Sequence, residues 1–311
     1  MPDWGTCLGS ELQFRVVGGL STGSIYALIA LGYTLVYGVL QLINFAHSEV
    51  FMSGILAGML FLNVFAGGDQ TVAPFLFVVA FLPTMAAAAG VAVALERVAY
   101  RPLRRRGASR LAYLISAIGA SFFMSNLVLL WRGREFENFP RSIDPAPLFN
   151  IGRVPIQTAD IVVLIVMVIM MVGLDRFVQR TRTGKGIRAV AQDVETAGLM
   201  GVDINRMVTI TFVIGGMLAG AAGLLYGLKF GVMRFDIGFL PGIKAFTAAV
   251  LGGIGNIRGA MLGGMTLGLM ESIGAGCFGN AWKDVIAFVL LVGVLMFRPT
   301  GILGEGVGQK A

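Results

Sequence analysis

The sequence predicts an all-α protein that crosses a lipid bilayer about eight or nine times. Hydrophobic residues make up 56% of the 311 positions and charged residues only 13%, with 44 glycines, a balance far from that of an ordinary soluble domain. Uncharged stretches recur along the whole length, and several reach the roughly 20 apolar residues needed to cross a hydrocarbon core. Because backbone groups in lipid must bond within their own segment, we expect these stretches to be helices.

Nine uncharged stretches give the predicted segments in order. They span residues 16–46, 50–68, 70–95, 111–131, 161–174, 207–228, 245–257, 259–270 and 285–297. The chain crosses the membrane nine times if the short stretch from residue 245 crosses. If the first connection is misassigned, the chain instead has eight helices with a re-entrant or broken element. We treat residues 1–311 as one membrane domain, with a cytoplasmic loop at 175–206 inside it.

The basic residues predict which connections face the cytoplasm. Residues 97–110 contain six Arg and no acid, and residues 176–206 contain six more Lys or Arg, so together these two loops hold half of the 24 basic residues. The positive-inside rule makes both cytoplasmic. Residues 132–160, which balance four Arg against four acids, then lie outside. This places the amino terminus outside and the carboxyl terminus inside, and it assigns the net charge of +7 to membrane topology rather than to nucleic acid.

The two cysteines, Cys7 and Cys277, both fall on the predicted outer side. Two cysteines this far apart form no disulfide framework. We therefore expect them to be small apolar residues of the core rather than a pair.

Glycine, amide and charged residues interrupt the apolar pattern at 41–49 and at 252–260. Transporters built from two repeats often place discontinuous helices near the membrane midplane, where helix ends hold the polar parts of a substrate. These two interruptions predict an internal repeat and a translocation path, with site residues Asn44, His47, Glu49, Gly252, Gly253 and Gly255. The alternative is that each interruption is a tight turn at the cytoplasmic surface. At such a turn, His47 and Glu49 cap helix ends or meet solvent. Within a translocation path, the alternative role of Glu49 is to orient His47.

Glycine spacing elsewhere predicts close helix contacts. Gly216, Gly220, Gly223 and Gly227 give two GxxxG matches in one segment, and Gly19 with Gly23 gives another. Small residues at this spacing let helix backbones approach each other. We expect these segments to pack inside the bundle or at a subunit interface.

Several function classes are excluded by missing motifs. Gly184 and Lys185 lack the upstream glycine and the following hydroxyl of a phosphate-binding loop, so the sequence predicts no ATPase site and no cofactor of its own. One His and two separated Cys give no recognisable metal-site spacing. No catalytic constellation is present, which leaves a transport or channel protein.

Residues 188–201 form a polar stretch with a narrow apolar face. Ala189, Val190, Val194, Ala197 and Met200 recur near helical spacing, which suits a groove on a partner, while Gln192, Asp193 and Glu195 are expected to face outward. The alternative is a solvated connector.

Five ordered motifs resemble the LivH-type permease subunits of branched-chain amino acid ABC transporters. They are residues 18–28 (GGLSTGSIYAL), 44–49 (NFAHSE), 188–193 (RAVAQD), 238–255 (GFLPGIKAFTAAVLGGIG) and 297–301 (FRPTG). The resemblance covers about residues 14 to 304. One departure is Ser48, where the family usually has glycine after the histidine.

The resemblance implies a bacterial inner-membrane importer. In such a system the chain pairs with a second, related permease, two cytoplasmic ATPases that hydrolyse ATP, and a periplasmic substrate-binding protein that touches the outer loop. The 175–206 loop would be the coupling region that sits in a cleft of the ATPase. Its coupling residues would be Arg188, Gln192, Asp193, Glu195, Ala197, Gly198 and Gly201.

The expected function is therefore the membrane-spanning subunit of an ATP-driven importer for branched-chain or other small amino acids. A urea or short-amide importer permease is the alternative within this class. An alternative from another class is a stand-alone ion-coupled carrier or channel, for which Glu49, Lys244, Arg258 and Glu271 are the available charged residues.

Overall fold

The computed structural model describes residues 12–65, 72–140, 147–151, 154–298 and 300–304. Within these residues the protein is helical almost throughout. Eight helical stretches are long and apolar enough to cross a membrane, and one shorter apolar helix of 14 residues, Phe239–Gly252, accompanies them. The predicted all-α, polytopic membrane fold is confirmed, whereas the internal repeat stays a prediction.

The described residues form twelve α-helices. They are α1 Leu12–Leu40, α2 His47–Phe65, α3 Pro74–Leu95, α4 Arg101–Arg105, α5 Arg110–Arg132, α6 Thr158–Arg180, α7 Arg182–Gln192, α8 Val194–Leu199, α9 Ile204–Phe230, α10 Phe239–Gly252, α11 Ile257–Phe278 and α12 Lys283–Phe297. A π-helical turn, Glu96–Tyr100, joins α3 to α4, and a 3₁₀ turn, Asn280–Trp282, precedes α12.

In the described part of the chain, four short strands lie in the connections. β1 (Glu137–Asn138) pairs antiparallel with β4 (Val232–Met233), and β2 (Pro147–Ile151) pairs antiparallel with β3 (Val154–Gln157).

The chain folds into two compact units. The α9 unit comprises Leu35–Asp144 and Val172–Ile243, and the α11 unit comprises Met1–Thr34, Pro145–Met171 and Lys244–Ala311. Both units draw on distant parts of the sequence, so neither is a separate consecutive segment. The interpretation of residues 1–311 as one membrane domain stays a prediction.

In the α9 unit, glycines bring α9 against α3 and α2. A Cβ at Gly216 would lie 2.7 Å from the Cα of Ala89 on α3, and one at Gly223 would lie 2.8 Å from the carbonyl oxygen of Phe51 on α2. On α2, Gly54 faces Gly220 just as closely. The GxxxG pattern of α9 therefore does what its spacing predicts, since larger residues would push the helices apart.

In the α11 unit, the first half of α1 packs on α11 by the same means. A Cβ at Gly23 would lie 2.8 Å from the carbonyl oxygen of Gly264, and one at Gly19 would lie 3.0 Å from that of Gly268. Helix α10 runs antiparallel to α11, because Gly252 meets Gly259 and Ala248 meets Gly263. The predicted packing role of Gly19 and Gly23 is confirmed.

The helices extend beyond the uncharged stretches of the sequence. The basic residues 97–110, interpreted as a loop, are helical as far as Arg105. Likewise, α11 continues past Glu271, where the uncharged stretch stops. Both extensions contain buried carboxylates, Glu96 and Glu271, which are paired with basic side chains and so do not end the helix.

The expectation of unpaired cysteines is wrong for Cys277, which is disulfide-bonded and buried near the end of α11. Cys7 lies outside the described residues. The sequence positions of the two cysteines carry no signal that Cys277 is bonded.

Candidate functional site

The first predicted interruption is a buried connector between α1 and α2. Residues 41–46 begin at Gln41, whose φ of 53° turns the chain after α1. Asn44 is 5% exposed, and its Oδ1 accepts a hydrogen bond of 2.6 Å from the Tyr100 hydroxyl. The connector joins two membrane-length helices, as the turn interpretation requires; Gln41 is exposed, but Asn44 is buried within the chain rather than in solvent.

Glu49 lies in the first turn of α2 among serine hydroxyls. Its side chain is almost completely buried, and Oε1 accepts from Ser121 at 3.1 Å and from Ser48 at 3.4 Å. Ser125 also lies near this carboxylate, and Asp236 is close enough to repel it. In the part of the chain that the structure describes, hydroxyl groups and no basic side chain contact this carboxylate, which suits pairing with a cationic group of a transient ligand.

Ser48 occupies its position without backbone strain. It lies in the first turn of α2, and its hydroxyl donates a 2.7 Å hydrogen bond to the carbonyl of Phe45. Gly238 and Gly242 lie against Ser48, so closely that a Cβ on either would collide with it. Gly242 therefore provides the room that the serine side chain takes up, whereas Gly238 lies against the serine backbone carbonyl.

The second predicted interruption is the tight turn between α10 and α11. Gly253 and Gly255 have φ of 102° and 98°, a conformation that side chains rarely adopt. Gly252 packs against Gly259, and Gly253 packs against Gly304. Asn256 then caps α11 by accepting from the backbone amides of Arg258 and Gly259. Packing and turn geometry account for these glycines without a ligand.

The six predicted path residues divide between the two units. Asn44, His47 and Glu49 belong to the α9 unit and lie together at the start of α2, where His47 is 1% exposed. Gly252, Gly253 and Gly255 belong to the α11 unit. The translocation path that joins them stays a prediction.

The predicted coupling stretch is two helices rather than one. Helix α7 ends at Gln192, and Asp193 caps α8 by accepting from the backbone amides of Glu195 and Thr196 at 2.9 and 3.1 Å. Gly201 has a φ of 83°, which reverses the chain toward α9. Arg188, Gln192 and Glu195 are exposed, as expected for residues that meet a partner.

The expected single apolar face of this stretch is wrong, because its residues point in two directions. Val190 and Ala197 are buried in their own unit, so Ala197 positions α8 instead of presenting a surface. Val194 and Met200 are exposed, and so is Leu199, at 83%, which the helical-spacing argument missed. Gly198 faces Ile204 at the start of α9: a Cβ there would lie 3.3 Å from the Ile204 Cδ1.

Sequence reasoning also missed a charge cluster in the α11 unit. Lys244 of α10 bonds Glu271 of α11 at 2.9 Å and Asp284 of α12 at 2.7 Å. The Tyr26 hydroxyl donates to the same Glu271 Oε1 at 3.4 Å. Lys244 and Glu271 are 27 residues apart and flank the uncharged stretches 245–257 and 259–270, so their sequence positions carry no signal that they pair.

Comparison with known proteins agrees with this architecture. The family model described as "Branched-chain amino acid transport system / permease component" matches residues 15–295. The chain is 45% identical over 299 residues to the high-affinity branched-chain amino acid transport system permease protein BraD of Pseudomonas aeruginosa, covering 95% of this chain and 97% of BraD. It is 41% identical over 311 residues to LivH of Escherichia coli, covering 95% and 96%.

A solved structure, PsaBC from Streptococcus pneumoniae in complex with Fab, aligns with a TM-score of 0.47 at 13% identity, covering 95% of both chains. The family match extends across all eight membrane-length helices, and the identity to BraD and LivH holds over almost their whole length. The chain therefore belongs to the family of branched-chain amino acid transport system permease components.

Proposed function

We propose that this chain is the membrane-spanning subunit of an ATP-driven importer for branched-chain amino acids in a bacterial inner membrane. The observation that carries the proposal is the 45% identity to BraD, a high-affinity branched-chain amino acid transport permease, over 95% of the chain. The chain works with a second homologous permease, two cytoplasmic ATPases and a periplasmic binding protein. ATP is hydrolysed by those partners.

The α8 segment, defined as Val194–Gly201, provides the docking surface for the ATPase. Its exposed apolar side chains, Val194, Leu199 and Met200, lie beside the exposed carboxylate of Glu195. Apolar anchors beside charged groups are typical of a small helical surface that enters a groove. Arg188 and Gln192, exposed on α7, extend this surface.

The translocation path passes Asn44, His47 and Glu49, with the 252–255 turn as its second element. A zwitterionic amino acid must exchange its hydration for fixed polar partners while it crosses, and the aliphatic part needs only apolar walls. The start of α2 offers a carboxylate and serine hydroxyls for the ammonium group. A path must release what it binds, so we expect weak and transient binding there.

The test is uptake by the complete complex. The chain is co-expressed with a candidate second permease, ATPases and a binding protein, and labelled leucine, isoleucine, valine, urea and acetamide are supplied to proteoliposomes containing ATP. We expect uptake of the three amino acids that stops without binding protein or ATP. Uptake of urea or acetamide alone would support the related importer, and uptake by this chain alone under an ion gradient would support a carrier.

A further inference from the structure

Two sets of side-chain hydrogen bonds in the α9 unit, one at the first turn of α9 and one at Asn44, are joined by a short piece of backbone. This piece runs through the π-helical turn Glu96–Tyr100 between α3 and α4. Single π-helical turns are rare in helices and frequently occur at functional sites. Neither the path residues nor the coupling residues described above include Glu96, Tyr100 or Arg104.

At the α9 side, Arg104 and Glu96 hold the helix start. One guanidinium nitrogen, Nη2 of Arg104, donates to Asn205 Oδ1 at 2.9 Å and to Glu96 Oε1 at 3.0 Å. The other oxygen of Glu96 accepts from Thr209 Oγ1 at 3.3 Å. Glu96 is completely buried, so its charge depends on these partners and the contacts resist separation.

The start of α9 is in turn fixed to the α8 segment. The backbone amide of Val202 donates to the carbonyl of Ala197 at 3.0 Å, and Gly198 packs against Ile204. Asp203 caps α9 by accepting from the amide of Arg206. Asn205 lies in this first turn, so a displacement of the α8 segment moves it directly.

At the other end of the π-helical turn, Tyr100 holds the connector before α2. Its hydroxyl donates to Asn44 Oδ1 at 2.6 Å. Its ring is buried between Tyr113 and Phe212, with centroid distances of 6.4 and 5.6 Å. This packing holds the ring so that its hydroxyl points toward Asn44. Asn44 precedes His47 and Glu49 by only a few residues.

We propose that Arg104, Glu96 and Tyr100 form a relay that transmits movement of the α8 segment to Asn44. These are positioning residues: they act on the path through Asn44 and need not touch the amino acid. The relay rests on the proposed function, in which an ATPase moves the α8 segment. Because the π-helical turn lacks the regular helical bonding of its neighbours, it is the place where α3 and α4 can shift relative to each other.

The test removes the links without removing the buried ion pair. Asn205→Ala combined with Thr209→Val abolishes both side-chain bonds from α9 and leaves Arg104 on Glu96. Tyr100→Phe abolishes only the bond to Asn44. Thr211→Val is the matched control, since the Thr211 hydroxyl bonds the carbonyl of Met207 on its own helix. Leucine uptake and ATP hydrolysis are measured together in proteoliposomes containing all partners.

We expect the leucine transported per ATP hydrolysed to fall about fivefold or more in both variants, the lower end of a typical coupling between sites. Basal hydrolysis and co-purification of the ATPases stay at the wild-type level, and Thr211→Val behaves as wild type. Combining the changes at Tyr100, Asn205 and Thr209 lowers the ratio no further, because links in one chain are not additive.

Three results overturn the relay. In the first, the leucine transported per ATP hydrolysed stays at the control value. In the second, the effects of the two sets of changes add. In the third, the leucine transported per ATP falls together with melting temperature and ATPase co-purification, which would make the contacts structural. Normal leucine uptake by the wild type in these cases leaves the proposed function intact. A wild-type complex without leucine uptake would overturn the proposed function and the relay with it.

Discussion

At the scale of single residues, Glu49 is buried and contacts no basic side chain among the residues that the structure describes. The described contacts of its carboxylate come from the hydroxyls of Ser48, Ser121 and Ser125. By contrast, the buried carboxylates Glu96 and Glu271 each contact a basic side chain. A structural carboxylate in lipid is normally neutralised in that way, so Glu49 is the acidic residue whose charge is best explained by function.

Replacing Glu49 with Gln tests this role. The change preserves shape and hydrogen bonding to the serines but removes the negative charge. We expect leucine uptake to fall about tenfold, equivalent to about 1.4 kcal/mol in the transport barrier, and its pH profile to change. The measurement is the initial uptake rate in proteoliposomes between pH 5 and pH 8, about the range in which histidine also titrates.

The control for Glu49→Gln is Glu137→Gln. Glu137 pairs with Arg132, the last residue of α5, and itself lies outside the membrane-length helices. Removing the Glu137 charge should leave uptake unchanged. If Glu49→Gln also leaves both the rate and its pH profile unchanged, the charge has no part in the path. A changed pH profile at full rate would instead favour a role in orienting His47.

Individual residues were predictable from sequence where local spacing decides their environment. Gly216 and Gly220 follow this rule, because their contacts depend on one helix face. Lys244 and Glu271 do not, since their pairing depends on how α10 returns alongside α11. The same reason hid the role of Arg104, which contacts Asn205 from the other side of a long sequence gap.

At the scale of elements, one side of the α8 segment packs against its own unit and the other side is exposed. Ala197 is buried and Asp193 caps the helix, whereas Leu199 and Met200 are about 80% exposed. Because isolated helices of this length are unstable in water, its shape must come from the contacts with α9. A rigid, exposed apolar tip is suited to transmit a push from a partner.

Gly198→Phe and Glu195→Lys each test the α8 segment. The first forces a ring toward Ile204, and the second reverses a charge on the exposed face. We expect both variants to insert and assemble but to lose leucine uptake about tenfold, with ATP hydrolysis no longer stimulated by substrate. Gly173→Phe is the control, since a Cβ at Gly173 on α6 would meet no described atom of this chain within 4 Å. Wild-type uptake with stimulated hydrolysis in both variants would contradict the docking role.

The order of the elements was largely predictable, whereas their ends were not. Every uncharged stretch of the sequence corresponds to a helix, because apolar runs in lipid have no other way to satisfy their backbone. The ends shifted where charged residues are buried, as in the π-helical turn at Glu96–Tyr100. The polar stretch 188–201 broke into α7 and α8 because Asp193 caps a new helix there, which hydrophobic spacing alone does not signal.

At the scale of the whole molecule, α10 decides on which side the chain ends. Its 14 residues span about 21 Å, less than the roughly 30 Å of a hydrocarbon core. Helix α10 nevertheless runs antiparallel to α11, and the turn that joins them packs against residues 300–304, beyond the end of α12. With α10 counted as a crossing, the eight long helices become nine segments, and an odd number places the two termini on opposite sides.

Reporter fusions test this topology. Positive charge in residues 97–110 and 176–206 predicts that these segments lie inside, and nine alternating segments then predict an inside carboxyl terminus as well. We expect green fluorescent protein fused after Ala311 to fluoresce and alkaline phosphatase at the same position to be inactive. Alkaline phosphatase inserted after Phe136 should be active, whereas an insertion after Gly107 should be inactive, which calibrates the two sides. An active phosphatase after Ala311 would mean that α10 enters and leaves the membrane on the same side, because eight crossings return the chain to the side on which it began.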